Sequence, residues 1–313
     1  MRKNERQMSI ISGQGVTKAW GHTPVLTSVD FAVEEGITGL LGSNGAGKTT
    51  LMGMILGLHP PDSGALDVLG LSPEDAGPEV RSRIGYSPEH HTLPADVGAH
   101  DLVRHVAEIH GLPRRAATNR ASDALWQVGL GEERYRPIGT MSTGQRQRVK
   151  LAQAIAHDPL LVLADEPTDG LDPVQRDAML ELIRRVSDEY GISVLLSSHL
   201  LEEVERTCDS AVILGDGRVV AQGRLEDLQA GGAGIVVVVD EGADRLAAHL
   251  ASQRLDVSVD GSRLRISAQD GIDDDVMLDH VRDAVADLQL PLRELRANRI
   301  SLEDVFLDMS GTS

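Results

Sequence analysis

The stretch Gly42-Ser43-Asn44-Gly45-Ala46-Gly47-Lys48-Thr49-Thr50 constrains this chain more than any other. Glycines cost backbone entropy, so a cluster of them suits a place where the chain turns tightly or comes close to something. Ahead of it, Ile37 to Gly42 is a short apolar run that reads as a buried strand. Behind it, Lys48 to Leu58 has helical spacing and stops at His59-Pro60-Pro61-Asp62-Ser63-Gly64. The loop matches G-x-x-x-x-G-K-[ST] in the strand-to-helix setting that gives this motif its meaning. Backbone N–H groups of such a loop can surround a phosphate, and the helix turns its positive end toward the same anion. Gly42, Ser43, Asn44, Gly45, Ala46 and Gly47 are assigned to that cradle. Lys48 is assigned to the β and γ phosphates, and the Thr49 hydroxyl to Mg²⁺. Thr50 is the next helix residue and closes the binding set. A glycine turn that only caps a helix is the alternative, and the full motif in context argues against it.

A second apolar run, Leu160 to Asp165, ends on Asp165-Glu166. Ligands sit at the carboxyl ends of strands in open α/β sheets. Asp165 is therefore assigned to Mg²⁺ through water, and Glu166 to orienting or deprotonating an attacking water. Taken alone, the pair could equally cap the following helix. Ser193 to Ser198 reads as another buried strand, with a helix at about Val174 to Glu189 between the two runs. Ser28 to Gly36 alternates as a strand does, and Ala99 to Gly129 is helical with no strand-like run. Strands alternating with helices predict a parallel α/β sheet.

A chain of 313 residues fits two domains. Aromatic residues make up only 2%, so the core rests on Leu, Val, Ile and Ala. The net charge of -18 argues against nucleic acid as the main partner, because a polyanion needs clustered Lys and Arg. The single cysteine, Cys208, cannot form a disulfide within the chain and points to a reducing compartment. The charged start, Met1 to Met8, has no apolar stretch behind it that would make a signal peptide. No window of about 18 residues is apolar throughout, so no membrane crossing is expected.

From Met141 to Pro167 the chain resembles the ATP-binding subunits of ABC transporters, and the resemblance extends over about Ile10 to Gly223. Met141-Ser142-Thr143-Gly144-Gln145 is close to the family's LSGGQ signature and precedes a helix and then the strand ending at Asp165. The resemblance implies a head-to-tail dimer in which Ser142, Gly144 and Gln145 reach ATP on the partner subunit. It implies that Gly170, Leu171 and Asp172 cross the dimer interface, with Asp169 where members often have Ser. It places His199 near the γ-phosphate, and an imidazole there can bond both a phosphate oxygen and a carboxylate. It nominates Trp20 for stacking on adenine, with simple packing or a surface spot as alternatives. Glu89 stands where many members have Gln; either side chain offers an oxygen to Mg²⁺. Thr143 replaces a glycine. The segment from His90 to Gly111 corresponds to the region that receives helices of the membrane subunit, although its residues fit a solvated helix equally well.

Gly231, Gly232 and Gly234 read as a linker. From Ile235 to the end there are 16 acidic and 8 basic residues, nearly half the excess charge. The order is strand (235–240), helix (243–253), strand (255–260), strand (263–268), helix (274–289), strand (292–297) and a short helix (301–309). That order predicts a split βαβ unit, with Asp260-Gly261 as a hairpin turn. A tail of this kind resembles the extension of ABC ATPases that pair with separate bacterial exporter-type permeases. It is read as a dimerisation or regulatory module, with a stabilising appendage as the alternative.

The expectation is an α/β P-loop domain of ABC type over residues 8–230, with a helical subdomain at about 90–157, and an α+β domain over 235–313. The implied activity is Mg-ATP hydrolysis by direct attack of water, driving export. The implied partners are an integral membrane permease and a second copy of the chain or a paralogous ATPase subunit, with no nucleic acid. The implied location is cytoplasmic, held peripherally on the inner face of the membrane by the permease. An importer subunit and a soluble non-transport ABC ATPase are the alternatives.

Overall fold

The computed structural model describes residues 9–89, 93–230, 234–253, 255–268, 274–298 and 302. The chain divides into two compact units, with the boundary between Leu225 and Glu226.

The first unit opens with β1 (Ile11–Trp20) and β2 (Thr23–Val33), followed by β3 (Ile37–Leu41), α1 (Lys48–Ile55) and β4 (Ser63–Val68). Strands β2, β1 and β4 form an antiparallel three-stranded sheet in that order. Register shifts interrupt β1 between Gly13 and Ala19, which breaks the alternation that would betray a strand. This strand, and β4 beside it, carry no clean signal in the sequence for that reason. Next come α2 (Gly77–Arg83), β5 (Ile84–Ser87), α3 (Ala99–Ile109), α4 (Arg114–Gln127) and α5 (Thr143–Ile155). The helical stretch expected over 99–129 is two helices, because Gly111 takes a left-handed φ of 92° and Pro113 precedes α4. Small residues on α4 (Ala117, Ala121 and Ala124) are fully buried and let α3 and α5 pack closely.

The remainder of the unit is β6 (Leu161–Asp165), α6 (Pro173–Tyr190), β7 (Ser193–Ser198), α7 (Leu201–Thr207), β8 (Ser210–Gly215) and β9 (Arg218–Arg224); α8 (Leu225–Ala230) starts at its last residue and runs into the second unit. The main sheet has the order β5-β6-β7-β3-β8-β9. Its first five strands are parallel, and β9 closes the edge antiparallel to β8. β3, β6 and β7 are buried along their whole length, as strands covered on both faces must be. One apolar cluster joins both sheets through α1, with Val16, Leu26, Leu51, Met52, Leu163 and Leu195 among its members. Because β6, β7 and β3 are neighbours, their carboxyl ends open onto one rim.

The second unit contains β10 (Gly234–Val239), α9 (Ala243–Ser252), β11 (Leu255–Asp260), β12 (Arg263–Ala268), α10 (Asp274–Asp287) and β13 (Leu292–Asn298). The sheet order is β11-β12-β10-β13, antiparallel throughout, which is the split βαβ arrangement. Ile235, Val237 and Val239 face a core with Leu246, Leu250, Leu264 and Met277. The Asp260-Gly261 turn is present, with Gly261 at φ 60°. Gly231, Gly232 and the helix expected over 301–309, apart from Leu302, lie outside the described residues.

Candidate active site

The glycine loop spans the gap between β3 and α1. Gly45 and Gly47 have φ of 88° and 103°, values that an L side chain resists. Gly47 is also the N-cap of α1, which has no side-chain cap, so the first N–H groups of the helix are left for a ligand. Gly42 and Ala46 lie under the loop: a Cβ on Gly42 would meet the Leu214 carbonyl oxygen at 2.8 Å and the Ala46 Cβ at 2.9 Å.

Lys48 is only 7% exposed, and its Nζ donates to the Gly42 carbonyl at 2.6 Å. The same Nζ lies 3.1 Å from Glu166 Oε1. The other oxygen of Glu166, Oε2, lies 2.9 Å from His199 Nδ1. A carboxylate only accepts, so His199 Nδ1 is the donor in this contact. Glu166 thus sits between a cation and an imidazole at the end of β6. Its φ of 45° is a left-handed value that a glutamate adopts at a cost of about 1–2 kcal/mol. Ser197 holds that turn in place. Its hydroxyl accepts from the Glu166 N–H at 2.9 Å and donates to Asp165 Oδ1 at 2.6 Å.

These groups line a cleft of about 620 Å³, a size that suits a small-molecule ligand. Ser43, Asn44, Gly45, Gly47, Lys48, Thr49, Thr50, Glu89, Asp165, Glu166 and His199 all contribute to its wall. Val25, of which the sequence offered no sign, and Asp169, read there only as part of the interface segment, do as well. Trp20 stands beside the cleft, with Nε1 3.5 Å from the Thr50 hydroxyl. It is 48% exposed, edge-on to His59 at 4.9 Å between ring centroids, with Lys18 Nζ 5.3 Å from its ring.

Two further groups, one half-buried and one buried, lie behind this wall without lining it. Tyr86, at the end of β5, has its phenol pushed up to about 12, by burial first and then by the Asp165 and Glu89 carboxylates. Lys150 of α5 donates from Nζ to the Glu89 carbonyl at 2.7 Å, and burial pulls its pKa down against the pull of Asp169 and Glu89. Lys150 comes from an element remote in sequence from Glu89, while Tyr86 lies in the same segment as Glu89.

Thr49, Glu89 and Asp165 are oxygen donors of the kind Mg²⁺ prefers. Among the described residues, no group of three or more His, Cys, Asp or Glu is gathered into a closed metal site. That donor set fits an ion that completes its shell with water and phosphate oxygens.

Ser142, Gly144 and Gln145 are not in this cleft. They line a separate hollow of about 180 Å³ with Arg148, Leu171 and Gln175. Ser142 caps α5: the Gln145 N–H donates to its hydroxyl at 3.2 Å, and the Gln145 side chain accepts from the Ser142 N–H at 3.1 Å. Asp172 caps α6 by accepting from the Gln175 N–H at 2.9 Å. Among the described residues, no helix is long and apolar enough to cross a membrane.

Residues 26–169 match the ABC transporter family model. The chain is 32% identical over 308 residues to the linearmycin resistance ATP-binding protein of Bacillus subtilis, covering 96% of this chain and 98% of that one. It is 31% identical to a Nod factor export ATP-binding protein of Ralstonia nicotianae, over 96% and 94% of the two chains. It is 32% identical to a daunorubicin resistance ATP-binding protein of Streptomyces coeruleorubidus, over 96% of each. A solved ATP-binding subunit of an ABC transporter superposes with a TM-score of 0.63 at 31% identity, covering 71% of this chain and 93% of that one. A dimeric ATP-binding cassette solved with ADP and Pi shares the fold at a TM-score of 0.60 and 23% identity, over 68% and 98%. With similarity at this level along almost the whole length of these relatives, the chain belongs to the ABC transporter ATP-binding family and is an ATP hydrolase of that type.

Proposed function

We propose that this chain is the cytoplasmic ATPase subunit of an exporter, hydrolysing Mg-ATP to drive a separate membrane permease. The observation that carries the direction is the extent of the likeness. It covers about 96% of the chain, both units included, against proteins named for resistance and export.

The reaction is attack of water on the γ-phosphate. The glycine loop and the N-terminus of α1 hold the phosphates, and Lys48 offsets their charge. Thr49, Asp165 and Glu89 hold Mg²⁺, which when bound neutralises charge on the phosphate oxygens. Glu166 accepts a proton from the attacking water or orients it. His199 donates from Nδ1 to Glu166, which keeps that carboxylate aimed. Trp20 stacks on the adenine. Ser142 and Gly144, in their separate hollow, act on the nucleotide of a partner subunit, so the working unit is a dimer of this chain or of this chain with a paralogue. Residues 8–230 carry this chemistry, and 235–313 form a dimerisation or regulatory domain.

Purification from detergent-solubilised membranes of the native host tests the reading. We expect a polytopic protein to co-purify in stoichiometric amount. A protein that comes away alone, or with ribosomes, leaves an ATPase that does not serve transport.

A further inference from the structure

Four carboxylates line the cleft (Glu89, Asp165, Glu166 and Asp169) against the single lysine of its wall, Lys48. A triphosphate is repelled by each of them, and like charges at close range cost most where water is scarce. Lys150 is only 7% exposed, yet lies on α5 and outside every motif. Its Nζ donates to the Glu89 carbonyl, and its charge acts on both Glu89 and Asp169. One turn earlier on the same face of α5, Gln147 donates to the Asp169 carbonyl at 3.2 Å. Helix α5 therefore grips both acid-bearing segments, and the buried ammonium lies at that junction.

We propose that Lys150 is a positioning residue of the nucleotide cleft: it fixes the backbone at Glu89 and offsets the Glu89 and Asp169 carboxylates, so that a magnesium-bound triphosphate is admitted beside them. The proposal rests on the nucleotide reading above.

The test uses the full chain, with equilibrium ATP binding and steady-state hydrolysis measured at saturating Mg²⁺. Lys150→Met is expected to weaken ATP binding and raise KM about tenfold, while Lys150→Arg stays within about threefold. Adding Asp169→Ser to Lys150→Met is expected to recover most of the loss, because one uncompensated carboxylate is removed. A role in packing alone gives no such rescue. A double variant no better than Lys150→Met overturns the proposal, as does Lys150→Met with wild-type binding. If Lys150→Met does not fold, Asp169→Ser alone decides. With the ammonium kept and one acid removed, ATP affinity is expected to rise about threefold, and unchanged affinity overturns the proposal. Wild-type protein that binds ATP through Lys48, shown by loss in Lys48→Ala, keeps the two readings separable. Wild-type protein that binds no ATP overturns both.

Discussion

Glu166 shows how much of the chemistry is set one residue at a time. Its left-handed backbone, the Ser197 hydroxyl on its N–H and the flanking Lys48 and His199 all serve to aim one carboxylate. In Glu166→Gln the side chain keeps its shape and loses its basicity. We expect turnover to fall by about 10²–10³-fold with ATP still bound, as seen by comparing single-turnover hydrolysis with nucleotide binding. Ser197→Ala strips a donor from Asp165 and an acceptor from the Glu166 N–H. Leaving those buried groups unpaired costs about 1–3 kcal/mol, and we expect a lower melting temperature together with slower turnover. Lys48, Asp165 and Glu166 were legible because motif spacing announces them. Ser197 was not: it is one serine in a strand, and it meets Asp165 only because β6 and β7 pair in that register.

At the scale of elements, the signature segment is a helix start before it is anything else. The Ser142–Gln145 capping box satisfies N–H groups that α5 would leave open. Ser142→Ala is expected to cost about 1 kcal/mol of stability, measured by chemical denaturation, whatever it does to hydrolysis. A second element-level feature joins the end of α3 to the turn after α5. His110 and His157 stack at 3.7 Å between ring centroids, and His157 Nε2 meets the Ile84 carbonyl at 3.2 Å. Burial, and then the charge of His110, pull His157 down from 6.5 to about 4, while burial also lowers His110. Below pH 6.5 the unfolded chain takes up a proton that the folded chain refuses until about pH 4. Stability therefore falls as pH falls across that window, by roughly 2 kcal/mol after allowing for partial solvent screening. Denaturant midpoints between pH 7 and 4.5 check this, and the slope is expected to flatten in His157→Leu. The longer helices and the strands buried along their whole length were readable because their patterns are strong, whereas the short helices α2, α7 and α8 were not read. β1, β4, β5 and β9 were not readable, since bulges, short length or partial burial blur the alternation, and the buried β8 was not read either.

For the whole molecule, the division into two units has a direct consequence. Each has its own apolar cluster, and the loop, the β6 carboxylates and His199 all belong to the first. We expect a chain ending at residue 230 to fold and bind ATP with a Kd within about threefold of the full chain, as measured by calorimetry. Its dimerisation or its coupling to a permease is where a difference belongs. A truncated chain that cannot bind ATP contradicts the assignment of nucleotide binding to the first unit.

The phosphate loop, the acid pair after β6, the alternation of strands and helices and the split βαβ tail all follow from local pattern. Each is a contiguous stretch whose spacing carries its own physical reason. Tertiary structure alone decided which strand ends share a rim, because strand order is a long-range choice. The order β6-β7-β3 is what sets Glu166 between Lys48 and His199, and the packing of α5 is what brings Lys150 to Glu89. Contacts between residues some sixty positions apart depend on folding of the whole unit, and no local pattern encodes them.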